Sequence, residues 1–273
     1  MKMKKLMIAA SAALCATVSF AELASANIVG YSTVELANQN TLVGINYLGI
    51  GGGTMTLNEA VPYADGMVKG ANTSVADQIQ IQNATGGYNI YYMSNGKNAK
   101  GAAISGLEGK WAKGGTFVPT TDTVSAGNVF WYIRNGWTVE SAPLKITIAG
   151  EVNTLATADT TVDLAFKLIT NPYPADLPLN DGIPYVEGMT MGANTAVADQ
   201  IQIQTASGGY DIYYMSNGKN AKGATISGLE GKWAKGGTFT PATDAVIPAN
   251  KGAWYLRKGA SDFTITVARP FDL

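Results

Sequence analysis

The chain contains an internal repeat in which residues 71–117 align with residues 193–239 at a constant offset of 122. Only five aligned pairs differ, which are Ser74/Ala196, Asn83/Thr205, Thr85/Ser207, Asn89/Asp211 and Ala103/Thr225. A repeat of this length is typical of a duplicated folded unit. Halves of ~120 residues are near the commonest domain size, so each copy can hold its own core.

The first 26 residues have the three parts of a secretory signal. Residues 1–5 are basic, residues 6–20 are apolar and uncharged, and residues 24–26 are small. Cleavage is predicted between Ala26 and Asn27, with a cut after Ala21 as the alternative. The mature protein is therefore predicted to be secreted, extracellular or at the cell surface, with the periplasm as a further option.

The repeat extends loosely on both sides and gives the predicted domain boundary. Residues 131–134 (WYIR) correspond to residues 254–257 (WYLR) after a one-residue insertion. The starts of the two copies align Ile28 with Ile148. We predict a first module at 27–149 and a second at 150–273, without a Pro- or Ser-rich linker between them.

Local patterns predict strands. Residues 77–82 alternate polar and apolar side chains with period two, which is typical of a half-buried strand. A second strand at 88–93 follows Gly86-Gly87, which predicts a hairpin, and Asn95-Gly96 predicts a tight turn. Further strands are predicted at 28–35, 41–48, 128–134 and 143–149, with one helical turn at 57–60. The chain is thus predicted to be all-β, as two tandem β-sandwich or barrel-like modules with little helix apart from the signal peptide.

Composition excludes several kinds of chemistry. The chain has no histidine, and its only cysteine is Cys15, in the predicted signal peptide. Ser-His-Asp and Cys-His catalytic systems, His/Cys zinc sites and disulfides in the mature chain are therefore excluded. Removing Lys2, Lys4, Lys5 and Glu22 with the signal leaves 16 basic and 19 acidic residues, a net charge of −3. This balance argues against a nucleic-acid-binding protein. No cofactor, metal site or transmembrane segment is predicted for the mature chain.

The order of several short motifs resembles a poorly named family of secreted tandem modules from bacteria with large secretomes. The second copy has a Leu-Ile-x-Asn-Pro segment at 168–172, whereas the first copy has Gly-Ile-Asn-Tyr at 44–47. Both copies then have four further motifs in the same order. These are an Asp before a strand (Asp77 and Asp199), a Gly-Tyr (87–88 and 209–210), an isolated Trp (Trp111 and Trp233) and an aromatic strand (130–132 and 253–255). The resemblance implies a β module at or outside the cell surface, and it implies no catalytic residues.

Strand parity predicts a ligand-facing or partner-facing surface, here called the tyrosine–arginine platform. If Trp131 and Trp254 face the cores, alternate residues on the same strands face away from them. The platform consists of Tyr91, Tyr132 and Arg134 with their equivalents Tyr213, Tyr255 and Arg257. Tyrosine and arginine together suit sugar rings or a protein partner. The alternative is that these side chains form a second packed layer.

Half of the basic residues of the mature chain lie in one Gly-rich segment of each copy. They are Lys97, Lys100, Lys110 and Lys113 in the first copy and Lys219, Lys222, Lys232 and Lys235 in the second. This pattern predicts either a patch for an anionic glycan or envelope polymer, or an ordinary solvated face.

These features favour a non-enzymatic structural or adhesive protein that assembles or docks through repeated β surfaces. A tandem carbohydrate-binding protein is the alternative, in which two equal sites would give avidity. A carboxylate-based glycoside hydrolase is the third option, because Asp77 and Glu108, repeated as Asp199 and Glu230, could flank a sugar.

Overall fold

The computed structural model describes residues 28–272, and the predicted cleavage site between Ala26 and Asn27 lies outside this range. The described residues form antiparallel strands and two helical turns, so the all-β prediction is confirmed. The predicted hairpin is present, with strands at Gln78–Gln82 and Tyr88–Met93. Gly96 has a φ of 76° at the predicted tight turn, a conformation that glycine adopts without a steric penalty.

The first module consists of ten strands and one helical turn. In chain order they are β1 (Val29–Leu36), β2 (Asn40–Gly44), β3 (Tyr47–Leu48), β4 (Met55–Thr56), α1 (Leu57–Ala60), β5 (Gln78–Gln82), β6 (Tyr88–Met93), β7 (Trp111–Lys113), β8 (Thr123–Val124), β9 (Val129–Ile133) and β10 (Leu144–Val152). The helical turn begins with a capping box, because Thr56 and Glu59 bond each other's backbone N–H groups.

The second module repeats this order with nine strands and one helical turn. They are β11 (Thr157–Val162), β12 (Phe166–Ile169), β13 (Leu177–Pro178), α2 (Leu179–Gly182), β14 (Gln200–Gln204), β15 (Tyr210–Met215), β16 (Trp233–Lys235), β17 (Val246–Ile247), β18 (Ala253–Leu256) and β19 (Phe263–Ala268). It has no strand equivalent to β3, because Pro172 and Pro174 surround Tyr173 and proline cannot donate to a ladder. Tyr173 packs edge-to-face on Phe271 instead, with ring centroids 6.1 Å apart.

Each module encloses its core between a large and a small sheet. The large sheet has strand order β2-β9-β5-β6-β7 in the first module and β12-β18-β14-β15-β16 in the second. The small sheets are β1-β10-β3 and β11-β19. Side chains from both sheets meet in each core, for example Ile79 of β5 with Ile146 of β10. The cores form separate clusters, one for each copy of the repeat.

The junction between the modules lies later in the chain than the repeat predicts. Strand β10 continues to Val152, and its last two residues pair with Leu48 and Tyr47 of the first module. Strand β11 then begins at Thr157 and pairs with β19 as β1 pairs with β10. The predicted boundary at 149–150 thus falls inside β10, and the connection between the modules is residues 153–156.

Candidate functional site

The four tyrosines of the tyrosine–arginine platform lie in the module cores. Tyr91, Tyr132 and Tyr255 are at most 1% exposed, and Tyr213 is 8% exposed. The prediction that they face solvent is therefore wrong. Tyr132 packs edge-to-face on the fully buried Trp111 at 5.9 Å, and its counterpart Tyr255 packs on Trp233 at 6.0 Å. The structure agrees instead with the alternative, in which the tyrosine side chains are packed in the interior.

Tyr132 also holds a buried carboxylate. Its hydroxyl donates to Asp77 Oδ2 at 2.8 Å, and the backbone N–H of Asn135 donates to Asp77 Oδ1 at 2.7 Å. Burial raises the pKa of the Asp77 carboxyl, and these donors oppose that shift. Asp77 is 1% exposed, whereas Glu108 is exposed and forms an ion pair with Lys69 at 2.7 Å. A sugar at the surface can reach Glu108 but not Asp77.

The same arrangement recurs in the second module, where Tyr255 donates to Asp199 Oδ2 at 2.9 Å. Asp199 is fully buried, and Glu230 is exposed. Each Asp therefore joins the large sheet to the loop that follows its aromatic strand. This is a packing role, repeated in both copies.

The two platform arginines bond backbone carbonyl groups. Arg134 donates to Leu36 O at 2.9 Å and to Ala142 O at 3.0 Å. Arg257 donates to Val162 O at 3.2 Å, and its side chain is only 10% exposed. Both arginines thus tie the aromatic strand to the end of the first strand of their module. Both guanidinium groups thus form hydrogen bonds within their own modules.

The parity prediction failed because both faces of the aromatic strands are covered. Phe130 and Tyr132 point into the first core, and Trp131 points to the opposite face of the sheet. There it meets Trp254 of the second module, with ring centroids 6.4 Å apart. A small apolar cluster surrounds the tryptophan pair; it contains Leu42, Val129, Leu168 and Tyr88. The assignment of Trp131 and Trp254 to the module cores is therefore wrong, because they pack between the modules.

Glutamine side chains complete this contact in a reciprocal way. Gln82 Nε2 donates to Phe166 O at 2.8 Å, and Gln82 Oε1 accepts from Leu168 N at 3.1 Å. The second module returns the same pair of bonds, from Gln204 to Asn40 O and Leu42 N. Each glutamine thereby bonds free backbone groups on an edge strand of the other module, which are groups that otherwise invite pairing with another chain.

The modules consequently form one unit with pseudo-twofold symmetry. The sequence held a signal for this contact, because Gln78, Gln80 and Gln82 repeat unchanged as Gln200, Gln202 and Gln204. Alternate glutamines on a strand usually indicate a solvated face, and nothing in the pattern singles out the third one. The partner groups are backbone atoms, which sequence patterns do not mark.

The Gly-rich segments with lysines lie at the far edge of each large sheet. Each one connects the two strands most distant from the module interface, β6 to β7 and β15 to β16. All eight lysines named above are exposed. We define the first lysine loop as residues 94–110 and the second as residues 216–232. They differ only at Ala103/Thr225.

Both lysine loops have the same backbone hydrogen bonds. Ile104 N donates to Gly96 O at 2.7 Å, and Ile226 N donates to Gly218 O at 2.7 Å. Short asparagine side chains fix the loop tips, since Asn98 Oδ1 accepts from the N–H groups of Lys100 and Ala102. Ile104 and Leu107 pack beneath the first loop on Tyr92, and this small cluster recurs in the second module. The loops are thus two copies of one ordered surface.

The lysines divide into two groups by their partners. Lys113 and Lys235 follow the loops, on β7 and β16, and form ion pairs with Asp122 at 3.5 Å and Asp211 at 2.8 Å. No such pair involves the other six lysines within the part of the chain that the structure describes. The lysines within the loops are therefore available to an external anion.

No protein-family model, curated protein or solved structure matches this chain. The resemblance to secreted tandem modules accordingly stays a prediction. Within residues 28–272, no helix is long and apolar enough to cross a membrane. In the same range, no group of three or more acidic residues is arranged to hold a metal ion.

Proposed function

We propose that the chain is an exported, non-enzymatic adhesive or structural protein that binds an anionic polymer at two equal sites. The observation that carries this proposal is the pair of lysine loops, which have the same sequence, the same hydrogen bonds and the same position in their modules. Lys97, Lys100 and Lys110 and their three equivalents supply the positive charge. The class of ligand is an acidic glycan or another polyanion of a cell envelope.

The contact between the modules supports a cross-linking role. Each loop lies at the sheet edge opposite to the edge that the other module covers, so the two loops point away from the shared interface. The tryptophan pair and the reciprocal glutamines hold the modules in one arrangement. Two loops on one rigid unit engage two segments of polymer, and avidity then exceeds the affinity of a single loop.

The test compares loop variants on a polyanion such as polygalacturonate. One variant replaces Lys97, Lys100 and Lys110 with glutamine, a second replaces Lys219, Lys222 and Lys232, and a third combines both. The control replaces Lys113 and Lys235, which already have carboxylate partners. Binding of the protein to surface-immobilised polymer is measured at two salt concentrations, and cross-linking of the polymer in solution is measured by light scattering.

Each single-loop variant should lose cross-linking and most of the avidity, on the order of 10²-fold. The double variant should lose binding altogether, and the control should change little. Added salt should weaken the binding of the wild-type protein to the polymer, because screening reduces the attraction between exposed charges. If the double variant binds as the wild type does, the lysine loops are solvated surface and the proposal is wrong.

A further inference from the structure

The pseudo-twofold contact leaves a cleft on each side of the module interface. The first, cleft A, has a volume of about 370 Å³ and lies between residues 33–42 of the first module and residues 248–252 of the second. The second, cleft B, has about 420 Å³ and lies between residues 126–129 and residues 159–168. Both volumes fall in the range of small-molecule sites. The two clefts occupy equivalent positions, and each is lined by one of the reciprocal glutamines.

Cleft A contains a half-buried cation without a carboxylate partner. Lys251 Nζ donates to the backbone oxygen of Glu35 at 3.1 Å. The Glu35 carboxylate pairs instead with Lys145 at 3.2 Å, and no acidic side chain among residues 28–272 forms an ion pair with Lys251. Burial lowers the pKa of the Lys251 ammonium, and the Glu35 carboxylate opposes that shift. A half-buried cation without a nearby opposite charge is less favourable than a paired one, and an anionic ligand would supply that charge.

Two further polar groups of cleft A have no partner. Thr41 is 5% exposed and Asn250 is 4% exposed. Within the described residues, neither Thr41 Oγ1 nor Asn250 Nδ2 has a hydrogen-bond partner. Both side chains belong to the lining of the cleft, beside Lys251. Leaving a buried polar atom unbonded costs stability. Both atoms are shielded from solvent, so a ligand with acceptor oxygens restores these bonds only when the two side chains rotate toward the cleft.

The backbone at Asn250 is unusual as well. Asn250 has a φ of 58°, whereas the equivalent residue in the first module is Gly127 with a φ of 89°. Glycine adopts this left-handed conformation at no steric cost, and asparagine adopts it at some cost. The second module therefore carries a side chain at a position where its repeat has none.

Cleft B lacks these features and serves as an internal comparison. Its residues equivalent to Asn250 and Lys251 are Gly127 and Asn128. Its own lysine, Lys167, is paired with Asp163 at 2.7 Å. The unpaired cation and the unbonded polar atoms are thus specific to cleft A.

We propose that cleft A binds one small hydroxy acid, with its carboxylate on Lys251 and its hydroxyl oxygens next to Thr41 and Asn250, whose side chains rotate toward the ligand on binding. Such a ligand is either a free acid or an acidic sugar at the end of a glycan. An ammonium–carboxylate contact supplies the charge-assisted hydrogen bond. The hydroxyl oxygens of the ligand accept hydrogen bonds from Thr41 and Asn250 after these side chains have rotated. Cleft A lies at the module interface, away from both lysine loops, so this site is independent of the proposed polymer binding.

The test titrates the mature full-length chain with lactate, with galacturonate and with galactose. Binding is measured by calorimetry and by saturation-transfer NMR. Two variants copy the residues of cleft B, Lys251→Asn and Asn250→Gly, and a thermal melt checks that each is folded. The variant with both lysine loops replaced is the control, because it keeps cleft A intact.

We expect one molecule of lactate or galacturonate per chain, and much weaker binding of galactose. Preference for lactate would identify a free acid, and preference for galacturonate would identify an acidic sugar. Lys251→Asn should weaken binding by about tenfold or more, and Asn250→Gly should weaken it less. The loop variant should bind as the wild type does.

Three results would overturn the proposal. The first is that neither acid binds the wild-type chain, and the second is that galactose binds as well as galacturonate. The third is that a folded Lys251→Asn protein binds acids with unchanged affinity. If Lys251→Asn does not fold, Asn250→Gly and the comparison of acid with neutral sugar on the wild-type chain still decide the matter.

Discussion

The reciprocal glutamines offer a direct test of the module interface, because each makes two hydrogen bonds to backbone groups of the other module. Gln82→Ala removes the bonds to Phe166 O and Leu168 N. A typical intramolecular hydrogen bond contributes about 1 kcal/mol, so this change should cost about 2 kcal/mol of unfolding free energy. Gln204→Ala removes the equivalent pair and should cost the same amount.

The double variant should lose about 4 kcal/mol, since the two glutamines share no partner and distant substitutions add. Gln80→Ala with Gln202→Ala is the matched control. These residues lie on the same strands and the same faces, but each Nε2 donates only to the neighbouring glutamine, at 3.1 Å. The control should therefore change stability by about 0.5 kcal/mol or less.

Urea unfolding followed by tryptophan fluorescence measures these differences. The midpoint should fall for the two interface variants, and it should fall furthest for the double variant. Equal midpoints for the interface variants and the control would refute the argument that the glutamines hold the modules together. If the fluorescence of Trp131 and Trp254 changes at a lower urea concentration than that of the other tryptophans, the modules separate before they unfold.

Three other perturbations follow from the packing. Tyr132→Phe should cost about 1–3 kcal/mol in urea unfolding, because it removes a donor from the buried Asp77 carboxylate; an unchanged midpoint would contradict this. Residues 28–152 expressed alone expose the Trp131 face and the β2 edge, so they should form a homodimer in sedimentation experiments, and a stable monomer would argue against the interface. Burial lowers the pKa of Lys251 in the folded protein below its unfolded value of 10.5. The unfolding free energy linked to this shift is therefore fully present above pH 10.5, and it is lost as pH falls through the folded-state pKa. Relative to Lys251→Asn, the wild-type protein should gain unfolding free energy as pH rises from neutral toward 10.5, and a constant difference would contradict the shift.

The sequence was sufficient to predict the strands and the hairpin, but it was insufficient to predict which face of a strand meets the module core. Period-two alternation identified β5, and the Gly-Gly dipeptide identified its hairpin with β6, because these signals are local. Residues 129–133 have apolar side chains on both faces, so alternation could not decide which face meets the module core. Trp131 and Tyr132 were consequently assigned to opposite faces from those they occupy. A second covered face arises only from the other module, and that contact lies more than 100 residues away in the chain.

The same limit applies to the candidate sites. Lysine-rich loops are contiguous in sequence, so residues 94–110 could be predicted as one charged segment. Cleft A combines Thr41 with Lys251, which are joined only by the pseudo-twofold contact. The departure of Asn250-Lys251 from Gly127-Asn128 was visible in the repeat alignment as an ordinary difference between diverging flanks. Its meaning depends on burial, which the sequence did not provide.

Covalent duplication explains how one chain can carry two equal loops and two unequal clefts. In a symmetric homodimer, any substitution appears in both subunits, so both clefts would change together. Joining the modules in one chain removes that constraint, and Lys251 then occurs in one cleft only. The two proposed activities consequently differ in stoichiometry, with two polymer contacts per chain and one hydroxy acid per chain. A titration that gives two equivalent acid sites would place the acid on the lysine loops rather than in cleft A.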